Sequence, residues 1–347
     1  MINEKDILTS LENVSYPGFS RSIVSFGLVK SVTFDENDVE VKIEIATKDP
    51  SIPQKIHNDS QEAIRVISGV GNIKVNIEVK NPPEQVGENG LGQASLPGVK
   101  KIIAVASGKG GVGKSTVAAN LAISLSLSKN NPNVGLCDCD LYGPSIPLMF
   151  GKEDARPMAT DENEIIPIES HGLKLMSMGF LLDDNSPVIV RGPLATRYTQ
   201  QFLQNCQWGE LDYLILDLPP GTGDIQLTIA QSVAVDGAII VTTPQEMALI
   251  DARKAASMFA KVNVPILGII ENMSYFLCPS DGEKYAIFGE GGGEKESSRL
   301  GVPLIGKIPI EMQTREAGDS GNPVALGDSE TSKEFNSVAE NVISAVS

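Results

Sequence analysis

Cysteine, histidine and tryptophan are scarce in this 347-residue chain, with four, two and one of each. So few cysteines in so long a chain give no disulfide framework. His57 and His171 stand far apart with no ligand spacing around them, which argues against a histidine-built metal centre. Apolar runs of membrane-spanning length are missing, and the first residues lack the basic-then-apolar pattern of a signal segment. A cytoplasmic protein with no membrane partner is therefore expected. Positive charge is short as well: 28 Lys and Arg against 44 Asp and Glu leave a net charge of −16. No nucleic-acid partner is expected of so acidic a chain. What is present, 41% hydrophobic and 21% charged residues, is the composition of a globular protein, and the length suggests two domains.

The stretch with the most chemistry in it is Gly108-Lys109-Gly110-Gly111-Val112-Gly113-Lys114-Ser115-Thr116. It follows the apolar run Ile102–Ala106 and opens into Val117–Ile123. Strand, glycine loop and helix is the context of a P-loop. The glycines let backbone N–H groups converge on one centre, and the helix N-terminus adds partial positive charge, so phosphates bind there. Lys114 is placed to reach the β- and γ-phosphates, and the Ser115 hydroxyl to ligate Mg²⁺. A second lysine inside the loop, Lys109, is not needed for this. A cation there points away from its own nucleotide and toward a facing subunit.

In chain order, residues 1–80 read as a small α+β domain. Lys5–Val14 has helical spacing, Ile23–Val29 and Val39–Ile45 read as paired strands, Ile52–Ile67 as a helix and Ile73–Val79 as a strand. Residues 81–98, rich in Pro and Gly, read as a linker. From residue 99 to 347 strands and helices alternate, which predicts an α/β fold, a doubly wound and mostly parallel sheet. Val134–Cys137 reads as a buried strand ending in Asp138-Cys139-Asp140. Of its two carboxylates Asp140 is the candidate for positioning the attacking water and Asp138 for supporting Mg²⁺; simple turn capping is the alternative. Cys137 and Cys139 share one strand face and read as packing residues. Tyr213–Asp217 is an apolar strand ending in acid, a Walker B pattern in which Asp217 holds the Mg²⁺ shell. Leu218–Asp224 follows as a switch-like loop whose Gly221 N–H approaches the γ-phosphate. Asn272, at the end of the strand Ile266–Met273, is placed to read an adenine edge, with Pro309 closing the base pocket.

The GKGGVGKST form resembles the deviant Walker A motif of the MinD/ParA/nitrogenase-iron-protein class, which sandwiches two ATPs between two subunits. The resemblance implies a homodimer in which Lys109 acts in trans, like an arginine finger. Around the segment Pro17–Val29 the first domain resembles the MIP18-like domain. Members often carry a reactive cysteine before a proline, where this chain reads Thr47-Lys48-Asp49-Pro50; a docking or regulatory role is expected instead. The succession SGKGGVGKST, DCDLYGPSIP, LDLPPGTGD, VTTPQEMALIDARK, ENMSYFLCP and GKIPI resembles the Mrp/ApbC family over residues 96 to about 326. That resemblance implies a P-loop ATPase, slow in turnover, that carries iron–sulfur clusters and delivers them to apoproteins or takes them from a cluster scaffold. The family usually follows ENMSYF with Cys-Pro-x-Cys-Gly, a pair of thiolates per subunit, four for a shared cluster. Here the run is Cys278-Pro279-Ser280-Asp281-Gly282, so a carboxylate replaces the second thiolate. Either a labile iron–sulfur cluster forms at Cys278, or Cys278 is a lone surface thiol and the chain is a ParA/MinD-like dimerisation switch without metal. The MinD membrane anchor, a basic amphipathic C-terminal helix, has no counterpart in Lys333–Ile343, which holds one lysine and two glutamates.

Overall fold

A computed structural model describes residues 3–14, 22–24, 28–35, 37–46, 51–67, 69–80, 96–160, 164–181 and 192–347. The chain divides into two compact units, residues 1–91 and 92–347.

The first unit comprises α1 (Glu4–Leu11), β1 (Val29–Asp35), β2 (Asp38–Ala46), α2 (Ser51–Arg65) and β3 (Ile73–Lys80). β1 and β2 form an antiparallel hairpin, and α2 carries the chain over to β3, which lies parallel to β2. Alternation explains β2: Val39, Val41, Ile43 and Ile45 are buried, while Lys42 between them faces outward. Expectation and structure differ at two places. The first helix ends at Leu11, three residues early, because Glu12 caps it and Asn13 and Val14 turn away. The strand expected over residues 23–29 begins only at Val29. Ile23 is buried in a turn, its N–H bonded to the Val14 carbonyl at 2.8 Å, so its apolar side chain serves the core without joining a ladder. The Thr47–Pro50 stretch, most of Pro17–Gly27 and most of the expected linker lie outside the described residues.

The second unit continues with β4 (Val99–Ala106), α3 (Lys114–Ser126), β5 (Val134–Asp138), α4 (Ile146–Met149), β6 (Ile168–Ser170), β7 (Leu173–Ser177), α5 (Gly192–Asn205), β8 (Leu211–Asp217) and α6 (Asp224–Ser232). It closes with β9 (Gly237–Thr242), α7 (Glu246–Lys261), β10 (Ile266–Leu277), β11 (Lys284–Tyr285), α8 (Gly292–Leu300), β12 (Leu304–Ile310), α9 (Met312–Asp319) and α10 (Glu330–Val346). The sheet runs β6-β7-β5-β8-β4-β9-β10-β12, with β11 on the far end of β10. β6 and β11 are antiparallel to their neighbours and the other pairings are parallel.

Both faces are covered, so the central strands carry continuous apolar runs, Ile102–Ala106 in β4 and Leu214–Leu216 in β8. Ile103 and Val105 of β4 pack with Val117 and Leu121 of α3 and Phe335 and Val338 of α10. Ile102, Ala104 and Ala106 point the other way, toward Ala252 and Phe259 of α7. The fold is thus a doubly wound α/β sheet, and the carboxyl ends of β4, β5, β8, β10 and β12 gather along one edge, where such sheets bind ligands.

Phe335 is fully buried between α10 and this core. Phe335→Ala is expected to cost about 3–5 kcal/mol, seen as a lower denaturation midpoint of the larger unit at unchanged slope.

Candidate functional site

At the carboxyl end of β4 the chain enters the glycine loop. Gly108 sits so close to α7 that an added Cβ would run into the Asp251 carbonyl, and no side chain can replace it there. Gly113 has φ +79° and its missing Cβ would run into Asn272 Nδ2. Gly110 and Gly111 are exposed on the crest of the loop, Val112 is buried beneath it, and Ser115 and Thr116 begin α3 half-buried. No side chain caps the start of α3, which leaves its first-turn N–H groups available to an anion.

Lys114, 5% exposed, is ion-paired with fully buried Asp217 at the end of β8, and lies 3.3 Å from the Ser115 hydroxyl. The other Asp217 oxygen, Oδ2, is buried and has no hydrogen-bond partner. Burial raises the Asp217 carboxyl above its ordinary range, while the Lys114 ammonium pulls the other way. Register places Asp138 directly beside Asp217 on neighbouring β5. Burial and then the Asp217 charge push Asp138 up to about 7.

Asp138, expected to support Mg²⁺, has protein donors on both oxygens. Oδ1 accepts from the Asp140 N–H at 3.0 Å; Oδ2 accepts from the Ser145 and Ile146 N–H groups at 3.1 and 3.3 Å and from the Ser177 hydroxyl at 3.0 Å. Asp138 therefore moulds the loop that presents Asp140. The half-buried Asp140 also accepts through Oδ1 from the Tyr142 and Gly143 N–H groups, at 3.2 and 3.3 Å, so capping and site placement coexist. Cys137 and Cys139 are buried in the core with their Sγ atoms 3.9 Å apart. Lys109 is half-buried in the loop, and among the described residues its ammonium has no hydrogen-bond or ion-pair partner.

Beside the loop opens a cavity of about 510 Å³ lined by Gly113, Thr116, Asn272, Pro309 and the start of α9. Asn272 lines the cavity, and one of its two Nδ2 hydrogens is donated to the Val112 carbonyl at 2.8 Å. Two residues not anticipated from sequence supply further polar atoms. Glu311 Oε2 and Thr314 Oγ1 line the cavity, buried and unpartnered. Their sequence signal was slight: a polar residue just after β12 reads equally well as an ordinary helix start.

Cys278 lies apart from these groups, half-exposed, in the turn between β10 and β11, its Sγ 3.0 Å from the Ser280 hydroxyl. The other three cysteines are buried. Asp281 accepts from the Glu283 N–H and the Tyr285 hydroxyl, both at 2.9 Å, and these bonds hold its carboxyl below the usual range. Among the described residues no group of three or more His, Cys, Asp or Glu side chains could hold a metal ion within one chain. No described helix is long and apolar enough to cross a membrane.

The buried pair makes a sharp prediction. Lys114→Ala should destabilise the larger unit by about 3–5 kcal/mol, because it strands a buried carboxylate. Adding Asp217→Asn should recover most of that loss, a coupling that a double-mutant cycle of urea titrations measures.

The family model described as NUBPL iron-transfer P-loop NTPase matches residues 98–343, and one described as iron-sulfur cluster assembly protein matches residues 4–75. An iron-sulfur cluster carrier protein of Synechocystis sp. is 40% identical, with 100% of this chain and 99% of that one covered. A protein of the same name from Pseudomonas fragi is 49% identical over 77% of this chain and 92% of its own. Among solved structures, a nucleotide-binding protein of Archaeoglobus fulgidus in complex with ADP is similar at TM-score 0.60 and 39% identity, covering 68% of this chain and 90% of that one. The Pyrococcus furiosus cell division ATPase MinD, at TM-score 0.54 and 23% identity over 70% and 98%, shares the fold. With the glycine loop, the Lys114–Asp217 pair and the mostly parallel sheet inside the matched span, the chain belongs to the NUBPL iron-transfer P-loop NTPase family.

Proposed function

We propose that this chain is an ATP-hydrolysing carrier of iron–sulfur clusters that works as a homodimer and passes clusters to apoproteins. The observation that carries the nucleotide half is the pairing of Lys114 with one oxygen of Asp217 while the other is buried without a partner. Such an atom, beside the Ser115 hydroxyl and below a cradle of glycines, fits the surroundings of Mg²⁺-bound phosphate. Ser115 and Asp217 would hold the cation, which supplies charge neutralisation for the phosphates when bound.

Roles follow from position. Backbone N–H groups of residues 110–116 take the phosphates, and Lys114 exchanges its carboxylate partner for phosphate oxygens. Asp140, fixed by Asp138, orients the attacking water. Lys109, half-buried and without a described partner, reaches the nucleotide of the facing subunit. In the cavity, the Glu311 carboxylate and Thr314 hydroxyl accept N–H groups of the base, Asn272 buttresses the loop through Val112, and Pro309 closes the pocket.

For the cargo, Cys278 is the thiol that is not buried. Two subunits bring two thiolates together, half the usual complement for an iron–sulfur cluster, and Asp281 adds oxygen, a harder and poorer ligand for such iron. The cluster is thus held loosely, as suits something to be handed on. The small first unit, matching an iron-sulfur cluster assembly domain, serves docking.

Anaerobic reconstitution with iron and sulfide tests the cargo reading. Wild type should gain the visible absorption of a cluster and Cys278→Ala should not; equal spectra defeat it and leave the metal-free switch. Asp281→Cys should slow the loss of the cluster to a chelator. Lys109→Ala should keep ATP binding and lose about 10³-fold in turnover; undiminished turnover would remove the trans role.

A further inference from the structure

One stretch of chain joins the two places described above. At Asn272 β10 breaks its register with β12, a shift that extends to Phe276, and Met273 takes a left-handed backbone with φ +55°. A residue without glycine's freedom holds that conformation only where its surroundings enforce it. From there the chain runs out to Cys278, turns through Asp281 and returns along β11 to Phe288. Met273 and Phe288 both line the cavity beside the glycine loop. The excursion therefore stands with two feet in that cavity and carries the thiol at its tip.

Its base is stapled. Glu271, 1% exposed, accepts from the Ser274 hydroxyl at 2.6 Å through Oε1 and from the Gly293 N–H through Oε2. A Cβ on Gly293 would come within 2.8 Å of that carboxylate, so a side chain there would crowd the staple. The tip is braced as well. The Cys278 N–H donates to the Glu283 carbonyl at 3.0 Å, the Tyr285 hydroxyl to Asp281, and Lys284 Nζ sits 4.2 Å from the Tyr275 ring centroid. A short arm braced at both ends transmits displacement of its feet to its tip more readily than a loose loop does.

We infer that residues 272–292 form a base-sensing arm: a nucleotide base seated in the cavity pins Met273 and Phe288 and thereby restricts access to Cys278. Glu271 is the positioning residue that keeps the two feet together. The inference rests on the nucleotide reading of the cavity and is independent of whether a cluster is carried.

Maleimide labelling of the full chain reads the arm directly, since the other cysteines are buried. Labelling is compared without additive, with ADP, and with inorganic tripolyphosphate, which fills the phosphate loop and brings no base. ADP is expected to slow labelling of Cys278 roughly tenfold, and tripolyphosphate to leave it unchanged. Glu271→Gln, which loses the charge at the staple, and Tyr285→Phe, which loosens the tip far from the cavity, should each bind ADP and show a smaller slowing. Calorimetry of ADP binding separates the two ways to fail. A chain that binds no ADP overturns this inference together with the nucleotide reading. A chain that binds ADP without slower labelling overturns this inference alone. So does equal slowing by tripolyphosphate, or the full slowing in both variants.

Discussion

Two carboxylates end neighbouring parallel strands in register, deep at the carboxyl edge of the sheet, and they share one ammonium. Asp138 and Asp217 stand directly opposite each other across the ladder, and nearly all their surface is withdrawn from water. Two such charges repel and each resists ionisation. Asp138 is steadied by three backbone N–H groups and a hydroxyl; Asp217 relies chiefly on Lys114, with the Ser115 hydroxyl helping. Much of the site follows from that imbalance. A triphosphate that drew Lys114 away without bringing a cation would strand Asp217, at a cost of about 3–5 kcal/mol. Anion and divalent cation are thus favoured together over either alone. Close packing is confined to the two ends of the loop, where an added Cβ on Gly108 would meet the Asp251 carbonyl and one on Gly113 the Asn272 amide.

The parts of the site legible in the sequence are those in which one contiguous stretch makes its own geometry. Gly108 to Thr116 is such a stretch, because four glycines between a strand and a helix N-terminus are enough to turn backbone N–H groups toward an anion. Asp217 was legible for a similar reason: an apolar strand of a doubly wound sheet delivers its terminal acid to the ligand edge. The parallel sheet showed in the alternation of apolar runs with helical stretches.

What stayed hidden depends on partners distant in sequence. The donors that Ser145, Ile146 and Ser177 bring to Asp138 cannot be read from the stretch Asp138 sits in. Nor can the bond from Asn272 to the Val112 carbonyl, 160 residues away. Glu311 and Thr314 had nothing to mark them, because an unpartnered polar atom exists only relative to the cavity around it. The misplaced strand at Ile23 has a related cause. Apolar content reports that a residue is buried, and not whether its backbone lies in a ladder or a turn.

The substitution of Asp281 for a thiolate can be weighed on the same grounds. A carboxylate in that turn is not merely a missing sulfur, since both its oxygens are engaged, one by the Glu283 N–H and one by the Tyr285 hydroxyl. Those bonds shape the hairpin that presents Cys278, so Asp281 has a structural part in the turn as well as taking the place of a soft ligand. Recruiting Asp281 to iron would break bonds that hold the turn, which makes it a costly ligand as well as a hard one. In the proposed dimer, cargo would then be held through sulfur from the two copies of Cys278, with the remaining iron sites filled by something that can leave. A carrier requires that kind of bond, strong enough to collect a cluster and weak enough to surrender it to an apoprotein offering more thiolates.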